Sequence, residues 1–240
     1  MREASGEAIL LAGGAAAILL QVADPAVARG VADHSDFAAR PLDRLHGTLT
    51  YLYVTAFGTA EEAREVARSV GARHRGVPGA TDPGLQLWVA ATLYATAMRI
   101  RELVFGADAP EDANALLAEY AVVATALGVP PADWPRDRAA FDAYWVGREL
   151  VVGDQARGIA GALLHPAGPR WLRALAPTIR LVTAGLLDAR LREAYGLEFD
   201  PVRFERLVTR TRAVYPRVPA RIRQWPARHY LRRYRRRPQT

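Results

Sequence analysis

From Ala8 to Val22 the chain reads AILLAGGAAAILLQV, an apolar run without a charge in it. A helix needs about 20 apolar residues to cross a bilayer, so this run falls short. Glu3 and Glu7 precede it, where a signal peptide would carry a basic segment. The run therefore predicts a buried core helix, whose Gly13, Gly14 and three consecutive alanines permit close approach by a flat group or another helix. Downstream, LDRLHGTLTYLYVTAF, LQLWVAATLYATAMRIRELVF, ANALLAEYAVVATAL and RAAFDAYWVGRELVV keep apolar residues at helical spacing. No stretch shows the alternation of a strand.

The punctuation agrees with a string of helices. Asp24-Pro25 and Asp82-Pro83 each set an N-cap acceptor before a proline at the first helical position, where its missing N–H costs nothing. Thr59-Ala-Glu-Glu62 is a capping box opening a helix that runs to about Arg73. Gly58, Gly106, Gly128 and Gly153 sit where helices should stop. Pro130, Pro131 and Pro135 mark a loop between two of them. With no internal repeat and no low-complexity linker, one all-α, multi-helix domain is expected.

Composition narrows the chemistry. Of 240 residues, 50% are hydrophobic and 24% charged, the balance of a folded chain. There is no Cys, which excludes disulfides, thiolate metal sites and cysteine nucleophiles. All 32 basic residues are Arg, so Schiff-base chemistry and a P-loop are excluded too. The three serines, Ser5, Ser35 and Ser69, lie in no nucleophile elbow. Five histidines, the arginines and the carboxylates remain.

The formal charge of +7 is unevenly placed, since Arg217 to Arg237 holds nine arginines and no acid. Such a run can meet anionic membrane or nucleic acid, but a solvated tail is the commoner outcome. Nucleic acid is disfavoured as a partner because no RNP, helix-turn-helix or zinc-finger pattern accompanies the run.

Taken singly, the histidines say little. His74 closes the helix that the capping box opens, where a cation favours the dipole, and that role weighs at least as much as a ligand's. His34 and His46 read as surface or core groups, and Asp43-x-x-His46 is one metal-like pair where a di-iron bundle needs Glu-x-x-His twice. His34-Ser35-Asp36 are sequence neighbours that cannot face one another on a helix. His165 and His229 read as loop residues. Arg44 and Thr48, four apart on a helix, share a face and could hold a small anion or a polarised oxygen, against an Arg turned to solvent and a Thr bonded to its own backbone. Glu61, Glu62 and Glu65 form a capping and solvated face. Trp88, Tyr94, Trp134, Tyr144 and Trp145 suit a planar ligand and an ordinary core equally.

The order of segments adds what no single one carries. GGAAAILLQVADPAVARGVADHSDF, PLDRLHGTLTYLYVTAFG, EEAREVARSVGARHRGVPG, DPGLQLWVAATL, LGVPPADWP, AGLLDARLREAYGL and VPARIRQWP follow one another along nearly the whole chain. In that order the sequence resembles the MpaB-like oxygenase family, whose domain is also the catalytic domain of latex-clearing (rubber) oxygenases. The resemblance implies an oxygenase domain over residues 1–215, enclosing a haem pocket, with 216–240 as a basic C-terminal extension. It implies haem b held through a histidine, and oxidation of a hydrophobic small molecule by dioxygen or peroxide in the cytoplasm. By motif match His74 is similar to the proximal iron ligand, and Arg44 and Thr48 to distal polar residues. Arg73 and Arg75 would disfavour a second positive charge on the imidazole, or would pair with haem propionates.

Two positions depart from the family. Trp88-Val89-Ala90-Ala91-Thr92 stands where members often read W-V-H-A-T, so a histidine is missing at Ala90. Gly47 stands where rubber oxygenases carry an iron-capping lysine, which predicts a sixth position open or held by water and disfavours rubber as substrate. The competing reading on the same scaffold is a non-catalytic haem- or lipid-binding protein.

Overall fold

The computed structural model describes residues 6–34, 41–166 and 170–236, without the side chains of residue 34 and residues 41–44. Among the described residues there are helices and turns and no strand, as the spacing predicted. The apolar run divides into a 3-10 turn, Ala8–Gly13, and helix α1, Gly14–Val22. Helix α2, Pro25–His34, leaves it at the Asp24 cap, whose Oδ1 accepts from the amides of Ala26 and Val27. No single described helix is long and apolar enough to cross a membrane; Ala8–Val22 and Pro25–Asp33 pass the length and composition test only as a pair bent by 106°.

Helix α3, Pro41–Phe57, turns at Gly58 into α4, Ala60–His74, and the capping box closes in both directions between Thr59 and Glu62. The long α5, Pro83–Phe105, begins at the Asp82 cap and is the hub. Its Trp88 belongs to the apolar cluster with α1, while Leu87, Ala91 and Tyr94, at helical spacing, belong to a second one. Helix α6, Pro110–Leu127, and α7, Arg138–Val146, cover that second side. Helices α8, Asp154–Leu164, α9, Arg170–Leu186, and α10, Ala189–Ala194, close the α1 side. Trp88, Tyr94 and Trp134 are thereby core residues, and Trp134 donates its indole N–H to the Leu117 carbonyl.

Close approach at the start of α1 is real but asymmetric. A Cβ on Gly13 would lie 3.3 Å from the Thr96 carbonyl, whereas one on Gly14 would meet nothing within 4 Å among the described residues. At the other end of α1, Trp88 and Tyr195 donate to the carbonyls of Leu20 and Leu19. The Leu20 carbonyl sits in the last turn, where helix geometry leaves such groups in need of a partner.

Three expectations are corrected. The segment 138–152 is not one helix: α7 ends at Val146, and beyond Gly147 the chain crosses to α1, where Val151 donates its amide to the Ala23 carbonyl and Arg148 pairs with Asp24 at 2.7 Å. Gly153 caps the start of α8 and stops nothing. The C-terminal arginine run is not a solvated tail. After α11, Pro201–Val214, the chain forms the short α12, Ala220–Arg223, and α13, Trp225–Arg235, which lies on α3 and buries Ala227 and Tyr230 against Leu49 and Tyr53. His229 is accordingly a helical residue, not a loop one.

Candidate active site

Helices α3 and α4 form a hairpin about Gly58, so the first half of α3 faces the last turn of α4. Gly47 then falls beside Arg73: a Cβ at Gly47 would stand 3.8 Å from Arg73 Nη1. Two of the expected site segments therefore meet, the one carrying Arg44 and Thr48 and the one carrying Arg73, His74 and Arg75. Thr48 is exposed, and Arg44 is placed by its backbone in α3. Arg73 also reaches back to the Ser69 hydroxyl at 3.4 Å.

His74 is the last residue of α4 and is half-buried, while Arg73 and Arg75 are exposed. The chain leaves it through consecutive turns: Val77 donates to the His74 carbonyl, Ala80 to that of Val77 and Asp82 to that of Gly79. Gly79 is left-handed at φ 78°, a conformation glycine adopts freely, and Leu85 packs against it. This segment is pinned from two sides. Val77 and Pro78 pack on Gly30 of α2, where a Cβ would stand 3.4 Å from Val77, and Gln86 of α5 donates from Nε2 to the Ala80 carbonyl at 3.0 Å. Buried Gln86 and Gly30 were not singled out in the sequence. Each left a signal there, a polar residue on a buried helix and a glycine inside one.

His46 has other work. Its Nδ1 shares a 2.5 Å hydrogen bond with the Tyr230 hydroxyl, which ties α3 to α13. Burial raises the Tyr230 pKa, so the phenol stays protonated through the ordinary pH range. Asp43 has no described side chain, and Ser35 and Asp36 lie outside the described residues. His165 is exposed at the end of α8. Ala90 is wholly buried in the apolar cluster of α5, α6 and α7.

Among the described residues no three His, Cys, Asp or Glu side chains come together to hold a metal ion. The described residues thus offer no three-ligand cage at His74, whereas the iron of a macrocycle arrives with most of its ligands and needs one imidazole. A half-buried imidazole flanked in sequence by two exposed arginines offers such a group one nitrogen donor and two guanidiniums suited to carboxylate pairing.

The helices and turns of the described residues define an all-helical class, and comparison gives it a family. Residues 1–217 match the family described as ER-bound oxygenase mpaB/B'/Rubber oxygenase, catalytic domain, and the chain belongs to that family of oxygenase catalytic domains. It is 32% identical over 231 residues to an uncharacterized protein of Mycobacterium tuberculosis, Rv2237, covering 86% of this chain and 89% of that one. The Mycobacterium bovis protein Mb2261, also uncharacterized, is similar to the same extent. No solved structure matches the chain.

Proposed function

We propose that the protein is a haem b oxygenase in which His74 is the iron ligand, acting on a hydrophobic small molecule with dioxygen or peroxide. The observation that carries this reading is the packing of α3 on α4, which sets Gly47, between Arg44 and Thr48 in sequence, against Arg73, the residue before His74 in the last turn of α4. His74 would hold the group from one side, with Arg73 and Arg75 offered to its carboxylates. Bound there, haem supplies the redox chemistry that these side chains lack. Arg44 is assigned to stabilise negative charge developing on reduced oxygen, and the Thr48 hydroxyl to orient it or a water. The turns after His74, held by Gly30 and Gln86, keep the imidazole where the end of α4 places it.

Titration of the purified protein with haemin is expected to give a Soret band and stoichiometric iron. His74→Ala should abolish both while far-UV dichroism stays that of wild type. A band unchanged in the His74→Ala protein would remove this ligand assignment. Ala90, packed where family members often carry histidine, favours the competing reading, a haem or lipid carrier on the same scaffold. Turnover separates the two: oxidation of any of a panel of alkenes and phenols supports the oxygenase, and an inert, His74-dependent haem complex supports the carrier.

A further inference from the structure

The outer face of α12 and α13 carries a cleft of about 670 Å³. Five exposed arginines line it, Arg221, Arg228, Arg232, Arg233 and Arg236. They recur at helical spacing opposite the side that Ala227 and Tyr230 bury on α3. Among the described residues none of the five pairs with an acid. The arginines that the fold uses are others in the same run: Arg223 pairs with buried Glu7 at 2.8 Å, and Arg235 with Glu62 at 2.7 Å. Like charges one helical turn apart repel, so the stripe opposes folding and gains nothing from its neighbours. An anionic partner would reverse that sign.

The apolar groups in the cleft say which anion. Ile222 is 56% exposed and Trp225 58%, side by side with the arginines at the first turns of the two helices. One face of the Trp225 ring is taken by the His229 imidazole, with centroids 4.7 Å apart and planes at 28°. That face is closed to a nucleobase, whose binding to such sites depends on stacking. Isoleucine has no use for a phosphate backbone either. Arginines on a polar face, beside a tryptophan and an aliphatic side chain, are what the boundary between headgroups and acyl chains accommodates.

We infer that this cleft is a docking site for anionic phospholipid headgroups at a bilayer surface, with Ile222 and Trp225 entering the interfacial zone. The inference is independent of His74 and of any cofactor.

The test uses the full chain as purified and vesicles of phosphatidylcholine alone or mixed with phosphatidylglycerol. The protein should sediment with the mixed vesicles, remain free of the neutral ones, and show a blue shift in tryptophan emission on binding. Added salt should release it. Each arginine near an anionic surface contributes about fivefold, so Arg228→Gln, Arg232→Gln and Arg233→Gln together should weaken binding about a hundredfold. Trp225→Ala should remove most of the emission shift. All four side chains are outside the core, and melting curves would verify that these variants fold. Equal affinity for neutral and anionic vesicles, or none for either, overturns the proposal. So does duplex DNA bound more tightly than the mixed vesicles. Inorganic pyrophosphate that displaces the protein at concentrations too low to screen charge would mark a soluble phosphate site and overturn it as well.

Discussion

At Gly47 the first half of α3 meets the last turn of α4 with room left for a side chain. Among the described residues a Cβ there would make ordinary contact, 3.8 Å from Arg73 Nη1, and nothing nearer. Helix propensity then outweighs packing, and Gly47→Ala should stabilise the protein by roughly 0.5–1 kcal/mol in urea unfolding. Loss of stability would mean that α3 and α4 sit closer than this. The candidate site entered from the sequence as residue types in order: spacing put Arg44 and Thr48 on one face, and the family resemblance gave roles to them and to the Arg73-His74-Arg75 triplet. Spacing alone gave His74 no more weight as a ligand than as a dipole-matching C-terminal residue. The contact between position 47 and Arg73 could not be read, because it depends on the angle at Gly58 and not on periodicity. The same limit hid the partner of His46, which is Tyr230, 184 residues away.

Elements were legible where the chain carries its own punctuation. Asp24, Thr59 and Asp82 each cap the helix expected of them, since a side-chain acceptor and the amides it serves are at most three residues apart. The segment 138–152 was misjudged because its apolar residues keep helical spacing while Arg148 and Val151 are claimed by α1, a tertiary contact that overrides propensity. The glycine pair that opens α1 gives the element scale its prediction. Gly14 is helical and faces open space, so Gly14→Ala should stabilise by up to about 1 kcal/mol. Gly13 faces the Thr96 backbone carbonyl, and the Thr96 hydroxyl is itself fixed by a hydrogen bond to the Thr92 carbonyl, so neither can yield without parting α1 from α5. Gly13→Ala should therefore destabilise by about 1–3 kcal/mol. Adjacent substitutions of opposite sign in thermal melts are the signature. Two stabilising effects would show that the α1–α5 contact is looser than 3.3 Å implies.

Across the whole molecule, the chain's two ends are drawn together by charge. Glu7 accepts from Arg223 and from the Tyr215 hydroxyl, whose pKa burial pushes up to about 12. Glu62, already committed to the capping box, also takes both Nε and Nη2 of Arg235 at the end of α13. Composition revealed the excess of arginine but not this division of labour, because which cations find acids is settled only when α13 lies on α3. The Glu62 carboxyl pKa is lowered, first by the hydrogen bond from Arg235 and then by the Thr59 amide. A carboxylate whose native pKa lies below its unfolded value, about 4.3, contributes stability above that value and loses it as the pH falls through the native one. Glu62→Gln keeps an acceptor for the Thr59 amide and removes only the charge facing Arg235. At neutral pH the Gln variant should accordingly unfold at lower denaturant concentration than wild type, and high salt should narrow the gap. The two midpoints should converge only as the pH falls through the lowered native pKa, where the wild-type carboxyl becomes neutral as well. A gap that persists unchanged into acid would assign the effect of Glu62 to the cap alone and leave Arg235 without a part in holding α13 down.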